Sequence, residues 1–190
     1  MSDKFQNKYR ISSARLPGWD YGWNGSYFIT ICTKDRECFF GEIVNGEMNL
    51  SKTGVIADLM WYEIKNHAKG VELDEFIVMP NHVHGIITLN GEDERPRAIL
   101  NANGDSNVET RHALSLPTQQ CFQNQGKNTI SSIVGGYKAA VTKHANRLKF
   151  DFAWQPRFHD HIIRDEQSFQ TISNYIINNA QNWSEDKFFK

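Results

Sequence analysis

Residues 73–89, Leu-Asp-Glu-Phe-Ile-Val-Met-Pro-Asn-His-Val-His-Gly-Ile-Ile-Thr-Leu, constrain this chain more than any other stretch. Two apolar, β-branched runs, Leu73 to Met79 and His82 to Leu89, flank a Pro80-Asn81 bend, which reads as two adjacent strands. Side chains alternate along a strand, so His82 and His84 share one face while Val83, Gly85 and Ile87 share the other. One face can carry chemistry and the other can feed a core.

Other segments extend the same pattern. Ser26 to Thr33 is β-branched and aromatic and reads as a first strand. Cys38–Val44 and Glu47–Leu50, joined by Asn45-Gly46, carry the signature of a hairpin. Ser51 or Thr53 can cap a helix running to about His67. A helix from Asn128 or Thr129 places Ile130, Ile133, Val134, Tyr137, Val141 and Leu148 on one side, with Lys138, Lys143, His144, Arg147 and Lys149 toward the outside. Phe152 to His161 reads as a last strand or an ordered loop, and a final helix is expected from about Asp165 to Trp183. Strands outnumber helices and connections are short, which favours an α+β fold with an antiparallel sheet over a doubly wound parallel one. Between about 90 and 127 periodicity disappears and Asn, Gln, Gly, Glu, Arg and Ser dominate, a polar insertion in an otherwise single domain spanning 1–190.

Composition narrows the function classes. A 190-residue chain with 39% hydrophobic and 23% charged residues can bury one substantial core. A formal net charge of −1 gives no global electrostatic case for nucleic acid, although a local basic surface remains open. No apolar run approaches the ~20 residues needed to span a bilayer, and the first residues lack the apolar core of a signal peptide, so a cytoplasmic location is expected. Cys32, Cys38 and Cys121 form no C-x-x-C pattern and are expected to be reduced and packed.

Four groups of residues could carry chemistry. His82 and His84 can hold a divalent metal, but Mg²⁺ or Mn²⁺ requires further oxygen ligands. Tyr175-Ile-Ile-Asn-Asn179 offers them: along an α-helix Tyr175 and Asn179 fall within roughly 40° of each other, beside a stripe of Phe169, Ile172, Ile176 and Trp183. A tyrosine oxygen can be a nucleophile and an amide oxygen a ligand, but the spacing alone favours an aromatic and an amide at a helix boundary. Tyr137, the rival nucleophile, sits in the middle of an apolar stripe and reads as a core residue. His159-Asp160-His161 competes for the metal, but Arg157 and Arg164 beside it suit phosphate better.

The ordered blocks Phe76-Ile-Val-Met-Pro-Asn-His-Val-His-Gly-Ile-Ile87, Trp154-Gln-Pro-Arg-Phe-His-Asp-His-Ile-Ile-Arg164 and Tyr175-Ile-Ile-Asn-Asn179 resemble the REP-associated tyrosine transposases, a branch of the single-tyrosine transposases in the HUH-endonuclease superfamily. Arg15-Leu-Pro-Gly-Trp-Asp-Tyr21 and Tyr27-Phe-Ile-Thr-Ile-Cys-Thr-Lys-Asp-Arg36 are similar to the same branch. The resemblance implies a ferredoxin-like or RRM-like domain, a central antiparallel sheet with helices on one face and the metal site on the other edge of the packing. It implies that His82 and His84 bind the metal, that Tyr175 is the nucleophile, and that Asn179 stands where relatives place an amide ligand, usually the longer glutamine. Asn179-Ala180 departs from the Asn-Pro of many relatives.

The implied reaction is cleavage and rejoining of single-stranded hairpin DNA through a 5′-phosphotyrosine with Mg²⁺ or Mn²⁺. Neutral histidine is the ligating form, so activity is expected to fall below pH ~6.5. Arg157, Arg164, Lys138, Lys143 and Arg147 would meet phosphates, and Trp154, Phe158 or the Trp19-Tyr21-Trp23 cluster would stack bases. A monomer and a homodimer, with one subunit's tyrosine serving the other's histidines, both remain open. A histidine-triad hydrolase would need a third histidine where this chain has Ile86. A domesticated hairpin-binding module without cleavage is the alternative from another class.

Overall fold

The computed structural model describes residues 19–91 and 128–189, together with the backbone of two short strands near the N-terminus. Residues 92–127 of the polar insertion, Cys121 among them, and the Arg15 block's first residues lie outside the described residues. In chain order the elements are β1 (Lys4–Phe5), β2 (Lys8–Tyr9), β3 (Gly25–Cys32), β4 (Gly41–Val44), β5 (Glu47–Leu50), α1 (Lys52–Tyr62), α2 (Ile64–His67), β6 (Val71–Met79), β7 (His82–Leu89), α3 (Ile130–Arg147), β8 (His159–Ile163) and α4 (Glu166–Ile177). β1 pairs with β2, and β4 with β5 across a turn in which Asn45 and Gly46 both take positive φ, as an Asn-Gly hairpin requires.

The main sheet has four antiparallel strands in the order β6-β7-β3-β8. With α1 between β3 and β6 and α3 between β7 and β8, this is the β-α-β-β-α-β arrangement of ferredoxin-like domains, followed by α4. The α+β, central-sheet reading of the sequence holds.

Alternation sorts the two faces. Tyr27, Ile29 and Ile31 of β3 and Val83 and Ile87 of β7 are buried in the core with Trp61 of α1 and Ile133, Val134, Tyr137 and Val141 of α3. Gly85 lies on this face because Trp61 occupies the space: a Cβ there would run into the indole ring at Cζ2. Trp61 in turn stacks on Phe76 at 4.5 Å and meets Tyr137 edge-on at 5.3 Å. The opposite face is not bare. α4 contacts β6 and β7 there and so covers the face that carries the histidines.

Boundaries also differ from the sequence expectation. Ser51 Oγ accepts from Gly54 N and starts α1 as expected, but the helix breaks at Glu63. Thr129 caps α3 in a reciprocal box with Ser132, and Leu148, expected on the apolar stripe, is exposed beyond its end. α4 stops at Ile177 instead of reaching Trp183. Asn178 and Asn179 follow, residues whose side chains favour turns over helix interiors. Cys32 is half-buried and Cys38 exposed, so the packed-cysteine expectation fails at Cys38.

Candidate metal and nucleophile site

His82 and His84 point from β7 to the face under α4, opposite Cys32 and Thr30 of β3, and both are fully buried. Their rings lie 4.3 Å apart. Burial of two imidazoles requires partners, and each has one at Nδ1. His82 Nδ1 is 2.9 Å from Asn81 Oδ1. The Asn81 amide nitrogen donates to the carbonyls of Arg36 (3.2 Å) and Phe188 (2.8 Å), so the amide oxygen must face the imidazole and accept. His82 therefore carries its proton on Nδ1, which leaves the Nε2 lone pair buried and without a hydrogen-bond partner. His84 Nδ1 is 2.9 Å from Thr30 Oγ1, and its Nε2 is 3.2 Å from Tyr175 Oη.

α4 and the turn after it complete the cluster. Tyr175 donates its hydroxyl hydrogen to Asp186 Oδ2 at 2.9 Å and packs edge-on against Phe28 of β3. The Asn179 amide nitrogen donates to the same Asp186 oxygen at 3.0 Å, and its Oδ1 is buried without a partner. Phe188 lies over the His82 ring at 4.5 Å, and Trp183 is 5.9 Å from it.

Electrostatics keeps the imidazoles neutral. Burial, reinforced by the positive charges of Lys187 and Arg36, pushes the His82 pKa down to about 3. His84 is held well below its ordinary value, first by burial and then by His82. In the folded protein both histidines therefore stay unprotonated to lower pH than a free imidazole. Burial and the hydrogen bond to Asp186 raise Tyr175 to about 12, so its hydroxyl is protonated at neutral pH.

The donor set fits a small divalent ion. His82 Nε2 presents a buried lone pair without a partner, the buried Asn179 amide oxygen has none either, and one ligand atom each from His82, His84 and Asp186 lies within 4.8 Å of the others. The sequence residues Tyr175, Asn179, His82 and His84 thus meet in one place. Asn81, Thr30 and Asp186 were not among the sequence candidates. The Pro-Asn bend hinted at the first, whereas only the sheet register and the path of the chain after α4 reveal the other two.

The remaining candidates are spread differently. Tyr137 is buried, donates to Ala57 O at 2.9 Å and has its pKa raised by burial; it is a core residue. His159 and His161 are exposed on edge strand β8, paired with Thr30 and Phe28 and so on the face that holds His84. Arg157, Arg164, Lys143 and Arg147 are exposed. Lys138 is half-buried and donates to the carbonyls of Gln155 and Arg157. Trp154 donates to Lys138 O and packs against Phe152, Phe40 and Tyr137, and Phe158 is half-buried against the core. Trp19 and Tyr21 are buried, with Trp23 packed beside them.

The fold and site together define an α+β domain of transposase-like architecture. A solved structure of a REP-associated tyrosine transposase bound to a REP hairpin superposes on 90% of this chain and 74% of its own, with a TM-score of 0.55 at 18% sequence identity. The chain belongs to the same family as an uncharacterized protein of Haemophilus influenzae, to which it is 39% identical over 178 residues, 93% of this chain and 92% of the relative. The chain matches no protein-family model. Among the described residues no helix is long and apolar enough to cross a membrane.

Proposed function

We propose that the protein is a metal-dependent tyrosine transposase that cleaves and rejoins single-stranded hairpin DNA. The observation that carries this reading is the convergence of one tyrosine hydroxyl on a pair of buried, neutral histidines: Tyr175 Oη stands 3.2 Å from His84 Nε2. The solved structure of similar fold, a transposase holding a REP hairpin, supports the same substrate class.

His82, His84 and Asn179 would hold Mg²⁺ or Mn²⁺. When bound, the ion polarises the scissile phosphate and offsets the negative charge that develops on its oxygens. Tyr175 Oη attacks the phosphorus, the bond to the 3′ oxygen breaks, and a 5′-phosphotyrosine and a 3′-hydroxyl result. The leaving phenol proton is already directed at Asp186 Oδ2. Asn81 and Thr30 hold the two imidazoles in place through Nδ1. The tyrosine reaches histidines of its own chain, so a monomer can carry the complete site. Arg157, Arg164, Lys143 and Arg147 supply exposed positive charge for the DNA backbone. Lys138 and Trp154 hold the loop that presents Arg157.

The test incubates wild type, Tyr175→Phe and Tyr137→Phe with labelled single-stranded palindromic DNA and Mn²⁺ or Mg²⁺, followed by denaturing gels. A metal-dependent protein–DNA adduct that disappears only in Tyr175→Phe is expected. Binding without any adduct in wild type would replace the enzyme with a hairpin-binding module.

A further inference from the structure

The metal site as read above is electrically incomplete. Two neutral imidazoles and an amide bring no negative charge, and the nearest cations, Lys187 and Arg36, already bias the pocket against positive charge. A divalent ion entering such a buried site needs an anionic ligand, and Mg²⁺ and Mn²⁺ favour carboxylate oxygens.

We propose that Asp186 is a ligand of the metal, so that one carboxylate joins the ion to the nucleophile Tyr175. This rests on the metal-dependent reading. A ligand atom from each of His82, His84 and Asp186 lies within 4.8 Å of the others, close to the ~4 Å that separates opposite ligands of a small divalent ion. No other carboxylate among the described residues joins the two histidines in such a group.

The carboxylate has capacity left. Its oxygens accept from Tyr175 Oη, from Asn179 Nδ2 and from Phe188 N at 2.9, 3.0 and 2.7 Å, three of about four acceptor positions. Those donors also fix its orientation, since Asn179 and Tyr175 grip Oδ2 while the Phe188 backbone grips Oδ1. Asp186 stands after the turn Trp183–Glu185, outside α4, so the ligand comes from the chain's return across the site and not from the helix that carries the tyrosine. Phe188, two residues on, anchors that return through its carbonyl to Asn81 and its ring over His82.

Mn²⁺ binding to the full chain without DNA, followed by electron paramagnetic resonance of the unbound ion, tests the assignment. Asp186→Asn keeps the shape and removes the charge; it should weaken Mn²⁺ binding about tenfold or more, as should His82→Ala, while Leu148→Ala, at an exposed position beyond the end of α3, stays within about twofold of wild type. Asp186→Asn binding Mn²⁺ as tightly as wild type overturns the proposal. Wild-type protein carrying ¹³C-carboxylate aspartate gives a readout independent of any variant's folding: a ¹³C hyperfine coupling to Mn²⁺ is expected, and its absence overturns the assignment. A DNA adduct formed by a protein that lacks this coupling would reject the ligand and keep the enzyme. The coupling without any adduct would keep the ligand and reject the enzyme.

Discussion

Asn81 ties three parts of the site together. Its amide orients His82, and its nitrogen holds two backbone carbonyls, one ahead of the β4–β5 hairpin and one in the segment after α4. Asn81→Ala should cost about 2 kcal/mol in urea denaturation, because it leaves a buried imidazole N–H and two carbonyls without partners. The histidines make a second, pH-dependent contribution. An unfolded imidazole titrates near pH ~6.5, while His82 in the fold titrates near about 3. Between those values the unfolded chain binds more protons, so this contribution is complete above ~6.5 and declines as pH falls toward 3. Melting temperatures measured from pH ~7 to ~4.5 should therefore drop less steeply in His82→Gln than in wild type. Equal slopes would show that the buried neutral imidazole is not their source.

At the scale of elements, strand β7 serves two surfaces at once, with histidines under α4 and a glycine under α1. The Gly85 position tests that division. Gly85→Ala places a methyl against the Trp61 ring, itself locked between Phe76 and Tyr137, and should destabilise by about 1–3 kcal/mol by chemical denaturation, even though alanine suits a strand no worse than glycine. The two faces were legible from alternation alone, as was the Asn45-Gly46 hairpin, because both depend on residues near in sequence. The end of α4 was not. Its apolar stripe continues in sequence to Trp183, but Asn178 and Asn179 terminate the helix and turn the chain back, which buries Asn179 and delivers Asp186 to the histidines.

Over the whole molecule, charge is nearly balanced, with a net of −1, so DNA recognition on the proposed reading must be local. Arg157→Ala and Arg164→Ala should each weaken single-stranded DNA binding and lower the salt-dependence slope by ~0.7 for each phosphate that is no longer neutralised, measured by titration at several salt concentrations. Lys138→Ala should instead loosen the 155–157 loop, because its ammonium is committed to two carbonyls there. A full slope change for Lys138→Ala with an unchanged loop would reverse these roles. The sequence by itself determined the strands, their two faces and the shared face of the paired histidines, since periodicity and turn chemistry act over a few residues, whereas Tyr175 stood out through the family resemblance and not through its spacing. Only the tertiary structure decided that Thr30, 54 positions from His84, holds its ring, and that Asp186, 102 from His84, closes the site. Strand register and the return of the chain after α4 arise from packing across the whole sheet, which no local pattern encodes.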